Sequence, residues 1–455
     1  MSGFYHSVTL IASRCRGCIN CIKRCPTQAI RVRNGKAYIL TERCIDCGEC
    51  IRVCPHQAKQ AAFDDVARLK DYRYTVALPA PALYGQFPGE VGIGRILAAL
   101  RAIGFDDVYE VSAAAEQVTA CTRAYLKQPG RPRPVISSAC PAVTRLIRVR
   151  FPGLCGHVLP LLAPVELAAR QARRAAVGAT GLPPEQIGVF FLSPCPAKVT
   201  YARMPLGIAR SELDGVFAIS DVYPRLAGAV KRMEQAGVPV QTRGDGVGWA
   251  ATGGEALALR GDRCLAADGI ENVTRVLEEI ENGKLTDMDF VELNACSAGC
   301  VGGVLTAENP YVARARLGRL RRSMPKREPL PPPDAVPADM GWTVPLEYVP
   351  VMKLDEDMAA AMRKMRRIDR LLAELPGLDC GSCGAPTCRA FSEDVVRGTA
   401  DPGDCIFRMR DRVRRLIGEL SAIESYTPPP FRRGEDAPGA GPETPPAGGG
   451  KEEAP

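Results

Sequence analysis

The chain contains 455 residues, 46% of them hydrophobic, which is enough to form the cores of several globular domains. Its net charge of +8 is modest, and part of the excess lies in the helix-like segment ARARLGRLRR at 313–322. A solvated helix face explains that charge, so nucleic-acid binding is not expected. No run approaches about 18 uncharged apolar residues, which argues against insertion into a membrane.

Cysteine is the most informative part of the composition. The chain has 19 cysteines, many of them at CxxC spacing. Disulfide scaffolds are short and secreted, whereas this spacing in a long chain is typical of metal ligation in a reducing compartment. The N-terminal sequence MSGFYHSVTLIASRCRGC lacks the pattern of a secretory signal. We therefore expect a cytoplasmic metalloprotein.

Residues 15–54 carry the pattern CxxCxxCxxxCP twice. A 4Fe-4S cubane needs four thiolates, and this pattern supplies three from one loop and the fourth from the other repeat. The predicted ligand sets, named here the first and the second set, are Cys15, Cys18, Cys21 and Cys54, and Cys44, Cys47, Cys50 and Cys25. A pair of zinc knuckles is the alternative, although zinc sites seldom use this spacing.

Between the two repeats, IRVRNGKAYIL predicts a β-hairpin that turns at Asn34 and Gly35. Roughly the first 60 residues resemble bacterial ferredoxins. We expect residues 1–66 to form an α+β ferredoxin-like domain that binds both clusters.

Residues 70–322 change to apolar strand-like runs that alternate with helix-like segments. Examples of the strands are YTVALPA, RPVISSA, IGVFFLSP and DFVELNA. Strands buried on both faces and separated by helices predict parallel α/β units, here in two successive lobes.

Cysteines follow three of these strands. Cys140 follows RPVISSA, Cys195 follows IGVFFLSP, and Cys296 and Cys300 follow DFVELNA. Because ligands in open α/β sheets gather beyond the carboxyl ends of strands, these four thiols, named here the central set, are predicted to share one metal site between the lobes. The remaining cysteines, Cys121, Cys155 and Cys264, are expected to be small buried hydrophobes.

The motifs SSACP, SPCPAK and VELNACSAGCVGG resemble the three signature motifs of the catalytic domain of iron-only (FeFe) hydrogenases. The resemblance implies that the central set holds a 4Fe-4S cluster and that Cys300 bridges to a two-iron centre, the H-cluster subsite. It also implies that Lys198 donates a charge-assisted hydrogen bond to a cyanide ligand of that centre.

Several positions depart from the family pattern. Ala139 stands where the family has a proton-donating cysteine, and Tyr201 stands where it has a glutamate. Ser193 and Asn294 replace two methionines. Since loss of a positioned acid–base group costs about 10²- to 10⁴-fold in rate, these departures argue against rapid hydrogen turnover.

Three functions therefore stay open. The first is a low-activity sensor of hydrogen or redox state. The second is a working hydrogenase with another proton path, an oxidoreductase that interconverts hydrogen with protons and electrons. The third is an electron-transfer protein that keeps the central 4Fe-4S cluster and lacks the two-iron centre.

Residues 323–350 hold eight prolines and predict a semi-rigid linker. The following segment, 351–412, contains a fourth ligand set, named here the C-terminal set, made of Cys380, Cys383, Cys388 and Cys405. It resembles the small 4Fe-4S domain of Rnf-type electron-transport and corrinoid iron–sulfur proteins. A four-cysteine zinc site is the alternative.

Residues 413–455 predict a last helix and a disordered tail rich in proline, glycine and glutamate. We see no output domain in the sequence. A redox partner or a separate signalling protein is therefore expected, together with hydrogenase maturases if the two-iron centre is present.

Overall fold

We describe a computed structural model of the chain, in which residues 5–233, 237–325 and 327–431 are described. The predicted tail from 432 onward lies outside the described residues. The chain divides into two compact units, Met1–Thr399 and Ala400–Pro455. Within the described ranges, no helix combines the length and apolar composition needed to cross a bilayer.

The N-terminal module has an internal symmetry that follows the sequence repeat. Its elements are β1 (Val8–Leu10), α1 (Asn20–Lys23), β2 (Ile30–Arg33), β3 (Lys36–Ile39), α2 (Glu49–Arg52) and β4 (Lys59–Ala61). Strands β1 and β4 pair antiparallel, so the two ends of the repeat meet. Strands β2 and β3 form the predicted hairpin, in which Asn34 and Gly35 both adopt positive φ, as a two-residue type I′ turn requires.

The central part alternates strands and helices. Its elements are β5 (Tyr74–Pro79), α3 (Ile93–Ala102), β6 (Asp107–Val108), α4 (Val111–Leu126), β7 (Val135–Ile136), α5 (Pro141–Arg150), α6 (Pro164–Thr180), β8 (Ile187–Ser193), α7 (Pro196–Arg203), β9 (Gly215–Ala218), α8 (Ile219–Arg232), α9 (Gly244–Gly248), α10 (Gly254–Leu259), β10 (Cys264–Asp268), α11 (Ile270–Glu281), β11 (Phe290–Asn294) and α12 (Pro310–Ser323).

Two parallel sheets organise this part. The larger sheet has the order β6-β5-β8-β9, and the smaller has the order β10-β11-β7. Every residue of β8 is buried, because helices cover both faces of its sheet. Phe190 of β8 stacks on Phe217 of β9 with ring centroids 5.0 Å apart. The predicted pair of parallel α/β lobes is confirmed.

The chain then runs along the surface of the central part to the C-terminal cysteines. The linker is fixed by backbone hydrogen bonds, such as those from Leu162 N to Met340 O and from Val349 N to Arg148 O. Gly207 lies so close to the Trp342 ring that a β-carbon at this position would overlap it. Helices α13 (Met358–Ala373) and α14 (Cys388–Val396) follow in the first unit, and α15 (Ile406–Glu424) belongs to the second.

Candidate metal centres

The four thiols of the central set lie at the carboxyl ends of strands from both sheets. Cys140 and Cys195 occupy the N-cap positions of α5 and α7, and Pro141 and Pro196 follow them at the first helical turn. Proline is favoured there because its fixed φ suits a helix start and its missing N–H would be unpaired anyway. The order strand, cysteine, proline, helix therefore occurs twice, once in each lobe.

The pKa values indicate that these thiols are neighbours in a buried site. Burial raises the pKa of Cys296 well above its usual range, and the charges of Cys195 and Cys140 raise it further. Burial also raises the pKa of Cys195 to about 11, although Lys198 opposes the rise. Crowded thiols such as Cys195 and Cys296, which resist ionisation, suit a metal site, because a metal replaces their protons with positive charge.

Lys198 lies within this site, on the first turn of α7. Its Nζ donates a 3.3 Å hydrogen bond to Cys300 Sγ. Burial acts to lower the pKa of Lys198, but the charges of Cys300, Cys195 and Cys140 outweigh it and raise the pKa. Lys198 has no carboxylate partner within the described ranges. A partly buried ammonium without an acid partner points to an anionic ligand.

A cavity of about 60 Å³ is lined by both Lys198 and Cys300. One water needs only about 10–15 Å³ by this measure, so a group several times larger fits. Phe191, Trp249 and several alanines and prolines form its apolar walls. The cavity is also lined by Val111 and Val165, and by Ala139, Lys198, Glu255, Glu292, Asn294 and Cys300.

Glu255 and Glu292 are cavity residues that the sequence analysis missed. Glu255 accepts a 2.7 Å hydrogen bond from Ser137 Oγ, and burial together with Glu292 raises its pKa to about 8. Glu292 accepts hydrogen bonds from Gly253 N, Ala256 N and Asn294 Nδ2. Burial raises the pKa of Glu292 as well, but its three donors oppose the rise, so Glu255 is the carboxyl of the two that holds a proton more readily.

The other departures from the family pattern lie in different surroundings. Tyr201 is 4% exposed, and burial raises its pKa, with Glu166 as the next cause. A phenol whose pKa is raised above 10 is a poor proton carrier at neutral pH. Ser193 is fully buried, and its Oγ donates to Cys195 O while accepting from Cys195 N, so it shapes the loop that carries Cys195.

The residues of the central site fit the group that the sequence pattern implies. Four converging thiols are the donor set of a 4Fe-4S cluster. Cys300 and Lys198 both line the cavity, so an anionic metal-bound group beside the cluster would meet a cation there. Glu255 and Glu292 add a buried acid pair at the same cavity.

By their mutual effects on pKa, the N-terminal cysteines form two groups of neighbours, and the assignment of these groups as the two ligand sets stays a prediction. The pKa of Cys21 is raised to about 11 by burial, and Cys18, Cys15 and Cys54 contribute charge, whereas Lys59 opposes the rise. The pKa of Cys47 is raised by burial and then by Cys25 and Cys50. Each group therefore contains one cysteine from the other half of the repeat.

Lys59 lies between these two groups and was also missed. It is 3% exposed, and its Nζ has no hydrogen-bond partner within the described ranges. Its charge acts on Cys21, Cys50 and Cys54, which come from both groups. An unpartnered buried cation is expensive unless negative charge lies beside it, so Lys59 fits two anionic clusters in this module.

The second set lies against the central site. Asp46, between Cys44 and Cys47, has a fully buried side chain that accepts hydrogen bonds from Ser7 N and from Thr200 Oγ1 of α7. A β-carbon on Gly48 would lie 2.8 Å from Val304, so this loop needs glycine at the contact. Arg52 Nη2 donates a 2.7 Å hydrogen bond to Gly302 O, two residues beyond Cys300.

The C-terminal cysteines of the first unit lie against the N-terminal module. Val32 N donates to Gly384 O at 2.8 Å, and Arg33 Nη1 donates to Cys383 O at 2.6 Å. A β-carbon on Gly381 would lie within 3.6 Å of Ile19, the neighbour of Cys18. The loop that carries Cys380 and Cys383 therefore contacts the loop of the first set.

A buried ion pair fixes this contact. Arg31 and Asp394 are 2.6 Å apart, with side chains 1% and 7% exposed, and Arg33 lies 2.9 Å from the same carboxylate. Cys405 is the N-cap residue of α15 in the second unit, and its role as the fourth ligand stays a prediction.

Three family models match the chain. The model for the iron only hydrogenase large subunit, C-terminal domain, matches residues 73–254 and 255–304, just over half of the chain. A 4Fe-4S dicluster domain matches residues 7–55, and an Fe-S cluster domain matches residues 375–407. The parallel α/β fold, the converging thiols of the central set and the cavity beside them together define the chain as an iron–sulfur redox protein. The chain belongs to the iron-only hydrogenase large subunit family.

Two curated relatives are similar to parts of the chain. The periplasmic Fe hydrogenase large subunit of Nitratidesulfovibrio vulgaris is 29% identical over 212 residues, covering 42% of this chain and 50% of that protein. A component of the ion-translocating oxidoreductase complex of Azoarcus sp. is 32% identical over 73 residues, covering 16% of this chain and 39% of that protein. The chain thus spans half or less of the length of these relatives.

Solved structures of FeFe-hydrogenases are also similar. One is HydA1 from Chlamydomonas reinhardtii, at 18% identity and a TM-score of 0.44, covering 56% of this chain and 85% of that one. A structure that describes stepwise H-cluster assembly in HydA has the same identity, TM-score and coverage.

Proposed function

We propose that the chain is a hydrogen-responsive redox protein of low turnover, which exchanges electrons between a buried H-cluster and three further 4Fe-4S clusters. The observation that carries this proposal is the cavity in which Lys198 lies beside Cys300 and in which the side chain at position 139 is only a methyl group. This arrangement joins a metal anchor and a cation, and it lacks a proton carrier at position 139.

The metal-holding residues follow from the sets described above. The central set would hold the 4Fe-4S part, and Cys300 would link it to a two-iron centre in the cavity. That centre, when bound, supplies the redox chemistry on hydrogen. Lys198 would donate to its anionic ligand, since no carboxylate competes for the ammonium within the described ranges.

Proton movement at this site depends on Glu255. Oxidation of hydrogen releases protons, and the methyl group of Ala139 cannot carry one. With a pKa of about 8, Glu255 is mostly protonated at neutral pH and is poised to exchange its proton with Glu292. Apolar walls leave few other carriers. Slow release of protons would limit the rate of hydrogen turnover, which suits a sensor better than an enzyme that produces or consumes hydrogen in bulk.

Electron movement has an order that the contacts support. The second set lies beside the central site through Gly48 and Arg52, and the C-terminal loop lies beside the first set. We therefore infer the sequence central set, second set, first set, C-terminal set. The C-terminal set would then be the port at which a redox or signalling partner exchanges electrons, in the cytoplasm.

A working hydrogenase is the second candidate, and the Glu255–Glu292 pair is the observation that favours it. If this pair moves protons quickly, the substitution at position 139 does not limit turnover. The cluster-only alternative is weaker, because it gives Lys198 only Cys300 as a partner and assigns no occupant to the cavity that both residues line.

The test starts with protein produced together with hydrogenase maturases. Infrared spectra should show CO and cyanide stretching bands, and their absence would leave only the cluster-only function.

Ala139→Cys should then raise hydrogen uptake by about tenfold or more, because it restores a proton carrier at the cavity. An unchanged rate in Ala139→Cys would favour the working hydrogenase. Glu255→Gln should lower uptake, and Glu255→Asp is the matched control that keeps a carboxyl group.

A further inference from the structure

Helix α15, Ile406–Glu424, carries an exposed apolar stripe. Its members recur at alternating intervals of three and four residues, which is the a/d pattern of a coiled coil. All are between 48% and 71% exposed. The stripe, named here the α15 seam, consists of Ile406, Met409, Val413, Leu416, Leu420 and Ile423.

An uncovered seam of this kind needs a partner. The tail from 432 onward cannot supply one, because its sequence contains no Leu, Ile, Val, Met or Phe. The seam itself is self-complementary. In an antiparallel pair of α15 helices, Ile406 faces Ile423, Met409 faces Leu420, and Val413 faces Leu416, so every a position meets a d position around one twofold axis.

Charge selects the antiparallel orientation. The first half of α15 contains five arginines between Arg408 and Arg415, and the second half contains Glu419 and Glu424. An antiparallel pair places the arginine-rich half beside the glutamate-containing half, with Arg412 of one copy next to Glu419 of the other. A parallel pair would align the arginine-rich halves and place Glu419 beside Glu424.

We propose that α15 is a self-association surface, through which two copies of the chain form an antiparallel helix pair. The proposal rests on the seam and its charges and does not depend on the hydrogen chemistry. Two copies joined in this way would bring two chains, each with its own redox centres, into one assembly.

Light scattering on the full-length, cluster-loaded protein tests this proposal. The mass should be twice 48.9 kDa, and Leu416→Glu should halve it. Leu257→Glu is the matched control, because Leu257 is 65% exposed and lies on α10, outside the seam. Helix content and iron content measured on each variant exclude misfolding. A monomer at every concentration, or a Leu416→Glu variant that stays dimeric, would overturn the proposal.

Charge reversal tests the orientation. Glu419→Arg should weaken the dimer, because it places two arginines together, and Arg412→Glu combined with Glu419→Arg should restore it. In a parallel pair, Glu419→Arg would instead strengthen association by facing Glu424. A monomer whose α15 cross-links to the exposed methionines of α13 within one chain would also refute the proposal.

Discussion

At the scale of single residues, the cavity carboxylates show how environment divides two like groups into different roles. Glu255 has one hydroxyl donor, whereas Glu292 has three N–H donors. Both are buried, and burial together with the repulsion between them raises the pKa of Glu255 to about 8. Glu255 is therefore the group that holds a proton near neutral pH, whereas the three donors on Glu292 favour its anionic form against the burial that raises its pKa.

This pKa predicts a pH dependence of stability. Folding raises the pKa of Glu255 from 4.5 to about 8, so its contribution to stability is full below pH 4.5 and is lost as pH rises to about 8. The loss can reach about 1.4 kcal/mol per pH unit. Glu255→Gln should remove this decline. Denaturant unfolding between pH 5 and pH 9 measures the free energy of unfolding, and Glu255→Asp should retain its decline with rising pH. Parallel curves for wild type and Glu255→Gln would contradict the assignment.

Lys59 predicts a shift in reduction potential. A buried cation between the first and second sets favours the reduced, more negative clusters, so Lys59→Met should lower their potentials. A charge interaction of about 1–3 kcal/mol corresponds to roughly 40–130 mV for one electron. Potentiometric titration followed by electron paramagnetic resonance (EPR) measures this change. Lys70→Met, at an exposed site, is the control, and equal potentials in both variants would refute the role of Lys59.

The two N-terminal ligand sets could be predicted from the sequence because their spacing is a local property of the chain, and the central set could be predicted because its cysteines follow buried strands. The acid pair could not. Glu255 opens α10 and Glu292 lies in β11, and each side chain looks ordinary in its own segment. They meet because the fold packs α10 against the end of β11. Lys59 was missed for the same reason, since its neighbours come from both halves of the repeat.

At the scale of elements, buried strands and tight turns were predictable, whereas packing between modules was not. The run IGVFFLS is apolar throughout, and Asn34-Gly35 dictates a hairpin wherever it lies. The ion pair between Arg31 and Asp394 joins residues far apart in the chain, on β2 and α14. Two isolated charges in a sequence give no sign that they are buried together.

That ion pair predicts how firmly the C-terminal loop is held. Asp394→Asn leaves the buried guanidinium of Arg31 without a counter-charge, which costs about 3–5 kcal/mol. Hydrogen exchange followed by mass spectrometry should then show faster exchange in β2 and α14. Glu279→Gln, which removes an exposed pair with Lys284, is the control and should change stability by less than about 1 kcal/mol. Unchanged exchange in Asp394→Asn would show that other contacts fix the loop.

At the scale of the whole molecule, the first unit brings cysteine-bearing segments of all three modules into contact. A linker such as 323–350 limits how far apart two modules can lie, but it does not determine which surfaces come into contact. The sequence therefore predicted the modules but not which of them are neighbours. The order comes from Arg52 and Gly48 at one junction and from Arg33 and Gly381 at the other. The ferredoxin-like module thus lies between the central site and the C-terminal loop.

This arrangement predicts an order of electron arrival. In matured protein exposed to hydrogen, freeze-quenched EPR should show the second set reduced before the first, and the C-terminal set last. Cys18→Ala removes a ligand of the first set, so it should leave the second set reducible and isolate the C-terminal set, because electron transfer would lose its intermediate. Cys380→Ala is the matched control and should leave both ferredoxin-like clusters reducible. Rapid reduction of the C-terminal set in Cys18→Ala would mean that electrons reach it by a route outside the ferredoxin-like module.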